Sequence, residues 1–286
     1  MPIDITDMLH LGLLLVGYNQ RQRDRTYRQL LAWFAANYGC HPLVLCVLWE
    51  RIEDIDGERK LLYFLITICW LKLYPTEAVM EARFNLDAKT IRGWIDYYSS
   101  VLEVYCDEVI VLPDSWGNDT FIGVVDGTHC RCYKPQHPEF PFDARYKSYK
   151  LGKDGLAYEV MIDMNGIPIW INGPYPAGTN DITIFRDSLI DHIPNDKLIL
   201  RDKGYHGPNQ ITSTPNEYDT YDVREFKRKH RARMEQYNGR IKNFKILEHV
   251  YRIKGEGRMT KHRRDFKAVN SVVFTELKSG FPLFAP

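Results

Sequence analysis

The hydrophobic pattern of this chain changes period once, near residue 118. Before that point, stretches such as RTYRQLLAWFAANYG and PLVLCVLWERIEDI repeat apolar residues at three- and four-residue spacing, the signature of helices burying one face. After it, FIGVVDG, AYEVMIDMNG and IPIWINGPYP are short apolar runs bounded by glycine, proline and asparagine, which read as strands. A chain with that switch is expected to fold as an all-α domain followed by an α/β domain. The stretch VIVLPDSWGND, broken by Pro113, Gly117 and Asn118, serves as the linker, so the expected domains are 1–118 and 119–286.

Within the helical part, residues 75–102 (PTEAVMEARFNLDAKTIRGWIDYYSSVL) read as a short helix from Pro75, a tight break at Asn85 to Asp87, and a second helix carrying Ile91, Trp94, Ile95 and Tyr98. This is the outline of a helix-turn-helix, whose second helix can lie in a DNA major groove. It offers Lys89 and Arg92 as groove contacts in acidic surroundings, so a DNA reader and a purely structural hairpin both remain open. In the second part a hairpin turning at Asn165-Gly166 is expected, followed by a helix over NDITIFRDSLI, a strand over KLILRDKGY, and helices over ARMEQYNGRIKNFKIL and DFKAVNSVVFTELKSG.

The formal charge of +1 hides an asymmetry. Up to residue 120 there are 11 Lys and Arg against 17 Asp and Glu; beyond it there are 27 against 20. Between Arg224 and Lys267 the count is 16 basic to 5 acidic, which suits either a solvated helical face or a surface that neutralises phosphates. The six cysteines are scattered without a CxxC pair, so reduced thiols inside a cell are expected, and His129 with Cys130 and Cys132 lacks a second ligand pair for zinc. The opening residues carry acids where a secretory leader carries bases, and the longest apolar run, LLYFLITICWL, is too short to span a bilayer. No membrane role is expected.

Asp126 follows the apolar run FIGVV and Asp202 follows KLILR, so each is expected where a strand stops. Side chains at the carboxyl ends of strands line the ligand crevice of an open α/β sheet. Two carboxylates held close repel each other, and a hard divalent cation relieves the repulsion. Each acid alone also suits a cap or an ion-paired strand end. Glu235 lies on an otherwise basic helix with Arg231, Asn238 and Lys242 at helical spacing, either as an internal ion-pair partner or as a third ligand. Asp163 is expected in a turn. Asp181 sits at a helix start, where an acid favours the dipole, with an accessory part in the site as the alternative. His129 and His206, close in sequence to the two aspartates, are candidate accessory groups. Lys203 is a candidate phosphate contact, and ARYKSYKLGK, carrying Lys147 and Lys150 with Tyr146 and Tyr149 interleaved, could track a DNA backbone.

Taken in order, GVVDGTH, then RDKGY, then a glutamate on a basic helix resembles the DDE transposases of the PIF/Harbinger type, and more distantly the bacterial IS5 group. The pattern around the bacterial glutamate is met at Arg231, Glu235 and Lys242, while its tyrosine position is Arg228 here. The resemblance implies an RNase H-like catalytic domain, a mixed sheet flanked by helices, in which Asp126, Asp202 and Glu235 hold two Mg²⁺ ions, with Mn²⁺ able to substitute. It implies cutting of double-stranded DNA at transposon ends and joining to target DNA in the nucleus, with a Myb-like helper protein contacting the first domain and a homodimer pairing the two ends. A domesticated descendant that binds DNA or protein without transposing remains the alternative.

Overall fold

The computed structural model describes residues 3–18, 24–52, 60–133, 143–201, 212–254 and 257–284. Its contacts divide the chain into two units. One comprises Met1–Glu108, Ile241–His249 and Arg264–Phe281; the other comprises Val109–Arg240, Val250–Arg263 and Pro282–Pro286.

The first unit opens with six helices, α1 (Ile5–Leu15), α2 (Tyr27–Tyr38), α3 (Pro42–Arg51), α4 (Leu61–Leu73), α5 (Glu77–Phe84) and α6 (Ala88–Val109). Their starts are set locally. Asp4 accepts from Asp7 N at 2.7 Å ahead of α1. Thr26 and Gln29 form a reciprocal capping box on α2, and Pro42 opens α3 where its missing N–H costs nothing. Helix α4 is apolar on every side and accordingly buried at Phe64, Leu65, Ile66, Ile68, Cys69 and Leu71. Asn85, at φ +52°, ends α5, and Asp87 caps α6 by accepting from Thr90 N at 2.9 Å. Ile66, Met80, Ile91 and Ile95 share one buried cluster, so the α5–α6 corner packs on α4. No single helix among the described residues is long and apolar enough to cross a membrane.

Two C-terminal stretches cluster with these helices. The later part of α10 (Arg258–Lys278) buries Phe266, Val269 and Val273, and Ser271 Oγ donates to Leu102 O at 2.7 Å. Lys267 pairs with Asp107 at 2.6 Å, and Arg264 with Asp96. Lys72 of α4 donates to Asn243 O and Oδ1 at 3.0 and 2.8 Å, which ties down the stretch before α9 (Lys245–Glu248). Burial of each large apolar side chain contributes about 1.5–3 kcal/mol, which is why these stretches follow their apolar faces rather than their place in the sequence.

The second unit is a mixed sheet flanked by helices. Its strands are β1 (Phe121–Arg131), β2 (Lys147–Ser148), β3 (Lys153–Asp163), β4 (Pro168–Pro176), β5 (Leu198–Leu200) and β6 (Thr212–Ser213), in the order β2-β3-β1-β5-β6 with β4 also paired to β3. Strands β1 and β3 run antiparallel from Gly123↔Asp163 to Arg131↔Gly155; β1 and β5 run parallel up to Val124↔Leu200. The β3–β4 hairpin turns at Asn165-Gly166, where Gly166 takes φ +85°. Asp163 holds that turn by accepting from Asn165 N and Ile167 N, at 2.9 and 2.8 Å.

Both sheet faces are covered, as the almost unbroken burial along β1 requires. On one face Val125, Met161, Phe185, Leu189 and Ile199 form a buried cluster under α7 (Asp181–Asp187). On the other lie α8 (Tyr221–Lys242), with Met234 and Tyr237 buried, and the start of α10, where His262 Nδ1 meets Tyr158 OH at 2.6 Å. Burial, helped by the Arg258 charge, pushes His262 down to about 3 and keeps its ring neutral. Arg233 of α8 fixes the β3–β4 turn by donating to Met164 O and Asn165 O at 2.7 and 2.6 Å.

Candidate active site

Strand β1 does not stop at Asp126, as the sequence suggested, but continues to Arg131. It can do so because Thr128, His129 and Cys130 are buried and remain paired with β3. Asp126 is therefore held in mid-strand, two residues beyond the last Cα pair that β1 makes with the described part of β5. Its carboxylate is half-buried: Oδ1 accepts from Gly127 N and Oδ2 from Asn238 Nδ2, each at 2.9 Å.

Helix α8 brings the second acid. Glu235, Arg231 and Met234 line a pocket of about 40 Å³ together with Val124, Val125 and Asp126. Arg231 and Glu235 are one turn apart on the same helix face, so a cation and an anion line the pocket side by side. Asn238 follows one turn later, and its Oδ1 is buried without a hydrogen-bond partner among the described residues.

The reverse face of the same strand carries a second polar cluster. A side chain at position 127 would point away from Asp126, and there the Asp181 carboxylate lies directly against Gly127. Lys150 Nζ donates to Asp181 Oδ2 at 3.0 Å and to Gly127 O at 3.4 Å. His129 Nε2 is 4.0 Å from Asp181 Oδ1, while its Nδ1 is 2.7 Å from Ser148 Oγ. Burial would raise the Asp181 carboxyl, but His129 and the Lys150 charge outweigh it and hold it below the usual carboxylate range. Asp181 and His129 are thus next to the Asp126 backbone but across the sheet from its carboxylate.

Glu159 was not singled out from sequence. It pairs with Gly127 across β1 and β3, is 1% exposed, and neither carboxylate oxygen has a hydrogen-bond partner among the described residues. Burial pushes it up to about 8, and the neighbouring Asp181 charge adds to the rise despite opposing contributions from Trp170 and Ser188. The signal in sequence is a lone acid inside the apolar run LAYEVMI.

Of the other candidates, Lys147 is exposed on β2, and Tyr149 beside it is 90% exposed whereas Tyr146 is buried. Lys89 is exposed on α6, and Arg92 pairs with Glu77 at 2.9 Å. Lys242, half-buried, belongs to the helical unit. Asp202, Lys203 and His206 lie outside the described residues. Among the described residues no three of His, Cys, Asp and Glu come together as a metal site. Asp126 and Glu235 nevertheless line one pocket, and their hard carboxylate oxygens would suit Mg²⁺ or Mn²⁺ rather than a softer ion.

A mixed sheet flanked by helices, with carboxylates gathered over its central strand, is consistent with an RNase H-like nuclease domain. The family described as DDE superfamily endonuclease matches residues 125–270, half of the chain, and the chain belongs to it. Its function is accordingly of the transposase or nuclease type, with DNA as substrate and divalent metal as the usual requirement of that superfamily. Neither the curated proteins nor the solved structures contain a significant match.

Proposed function

We propose that the chain is a PIF/Harbinger-type DDE transposase that cuts the ends of a DNA element and joins them to target DNA. The observation that carries this reading is the shared pocket: an acid from the central strand and one from α8 line the same small space, with Arg231 on its wall. Asp126, Asp202 and Glu235 would hold two Mg²⁺ ions, or Mn²⁺ in their place. Bound there, such a pair supplies an activated water and charge for the departing oxygen in an in-line displacement at phosphorus.

The chain's own groups do the rest. The strand and helix keep the two acids in place without loop motion, and the Arg231 guanidinium offers a planar fork to a phosphate. Water adds to phosphorus, the bond to O3′ breaks, and a 3′-hydroxyl end and a 5′-phosphate result. In the joining step that 3′-hydroxyl adds to a target phosphorus and displaces its O3′. Lys147, Lys150, Lys203 and Lys242 are the proposed backbone contacts, Lys89 and Arg92 the groove contacts, and His129, His206 and Asp181 accessory groups. Residues 1–118 and 119–286 would act as end-binding and catalytic domains, in the nucleus, as a homodimer, with a Myb-like protein assisting through the first domain.

The test is nicking of supercoiled plasmid in Mn²⁺ by the wild type, Asp126→Asn and Asp202→Asn. Nicking by the wild type alone is expected. Nicking by all three would overturn the assignment of the acids, and nicking by none would favour a descendant that binds DNA without cutting it.

A further inference from the structure

Glu235 and Asn238 are one turn apart on α8, and Asn238 reaches across to the strand to donate its Nδ2 to Asp126 Oδ2. A carboxylate only accepts, so this contact fixes which end of the amide faces it and leaves Oδ1 on the far side, buried and without a partner among the described residues. The other Asp126 oxygen is held by the N–H of Gly127. The carboxylate is therefore held both by its own strand and by the helix that carries the second acid. Space-filling does not account for this choice, because an apolar side chain of the same size would pack without leaving a buried carbonyl oxygen unpaired.

We propose that Asn238 is the positioning residue of the acid site, setting the plane of the Asp126 carboxylate and its spacing from Glu235 so that both address one cation. The inference rests on the reading of Asp126 and Glu235 as cation ligands. Because one rigid helix carries both the ligand and the group that orients the opposite ligand, the geometry of the pair is fixed before any metal arrives. Groups that orient a ligand in this way change metal affinity by about 10–100-fold when removed.

The test is Mn²⁺ binding to the full-length chain, read from the electron paramagnetic resonance signal of unbound Mn²⁺, with melting in chelator to establish that each variant is folded. Four variants are compared with the wild type: Asp126→Asn, Glu235→Gln, Asn238→Leu and Asn238→Ala. Leucine keeps the volume and loses the donor; alanine loses both and suits a helix better than asparagine, so the helix survives. Both Asn238 variants are expected to bind Mn²⁺ 10–100-fold more weakly. Wild-type affinity in Asn238→Leu, with loss only in Asn238→Ala, would reduce Asn238 to packing and overturn the proposal while the ligand reading stands. Wild-type affinity in Asp126→Asn or Glu235→Gln would overturn the ligand reading itself.

Discussion

The Asp181 carboxylate fills the space in which any side chain at position 127 would have to grow. Gly127 is next to Asp126, so the strand that carries the first acid is backed by a second carboxylate pressed onto its spine, itself held by Lys150. Gly127→Ala must push Asp181 and the start of α7 aside, and overpacking of this kind costs about 1–3 kcal/mol. Chemical denaturation is expected to show that loss, and Gly127→Ala combined with Asp181→Ala to recover part of it, since the two residues compete for one space.

Glu159 makes stability depend on pH in the opposite sense to an ordinary ion-paired acid. Its folded pKa, about 8, lies above that of an unfolded glutamate, about 4.3. Below the lower value both states are protonated. Between the two, the unfolded chain releases a proton that the folded chain keeps, so stability falls as pH rises, by roughly 1.4 kcal/mol per unit at most, and levels off above the higher value. Glu159→Gln is expected to melt like the wild type near pH 4 and higher than it near pH 8. Parallel melting curves across that range would show that Glu159 ionises normally.

Arg233 is 7% exposed and spends two of its N–H groups on the carbonyls of Met164 and Asn165. A lysine cannot offer two fixed donors in one plane. Arg233→Lys is therefore expected to lose about 1–3 kcal/mol of stability, and amide exchange at the β3–β4 turn to accelerate more than at β1. Uniform acceleration would mean that Arg233 does not hold that turn.

Arg92 and Glu77 form an exposed ion pair on the α5–α6 corner. Such pairs contribute about 0–1 kcal/mol, so Arg92→Ala is expected to leave melting almost unchanged. Its affinity for DNA then becomes a direct reading of whether α6 enters a groove. A drop of tenfold or more at low salt supports the groove contact; no change assigns the corner to architecture.

What was legible in the sequence is what local chemistry decides. The hairpin at Asn165-Gly166 follows from a glycine suited to the positive φ that Gly166 takes. The extent of β1 was not legible, because Thr128, His129 and Cys130 look like loop until Ser148 arrives to bond His129. Nor was the clustering of 264–281 with the first helices, which depends on an apolar face matching a distant partner such as Leu102. Asn238 could be placed on the Glu235 face by counting, but its bond to Asp126 spans 112 residues and no spacing rule reaches that far.

All six cysteines are buried. Burial pushes the Cys46, Cys69 and Cys132 thiols up to about 11 and Cys106 up to about 12, so at neutral pH they are almost entirely protonated as well as shielded. The folded chain is therefore close to silent toward alkylating reagents. A cysteine introduced at an exposed position, such as that of Tyr149, would react alone, and a spectroscopic label could be set there without stripping the native thiols from the chain.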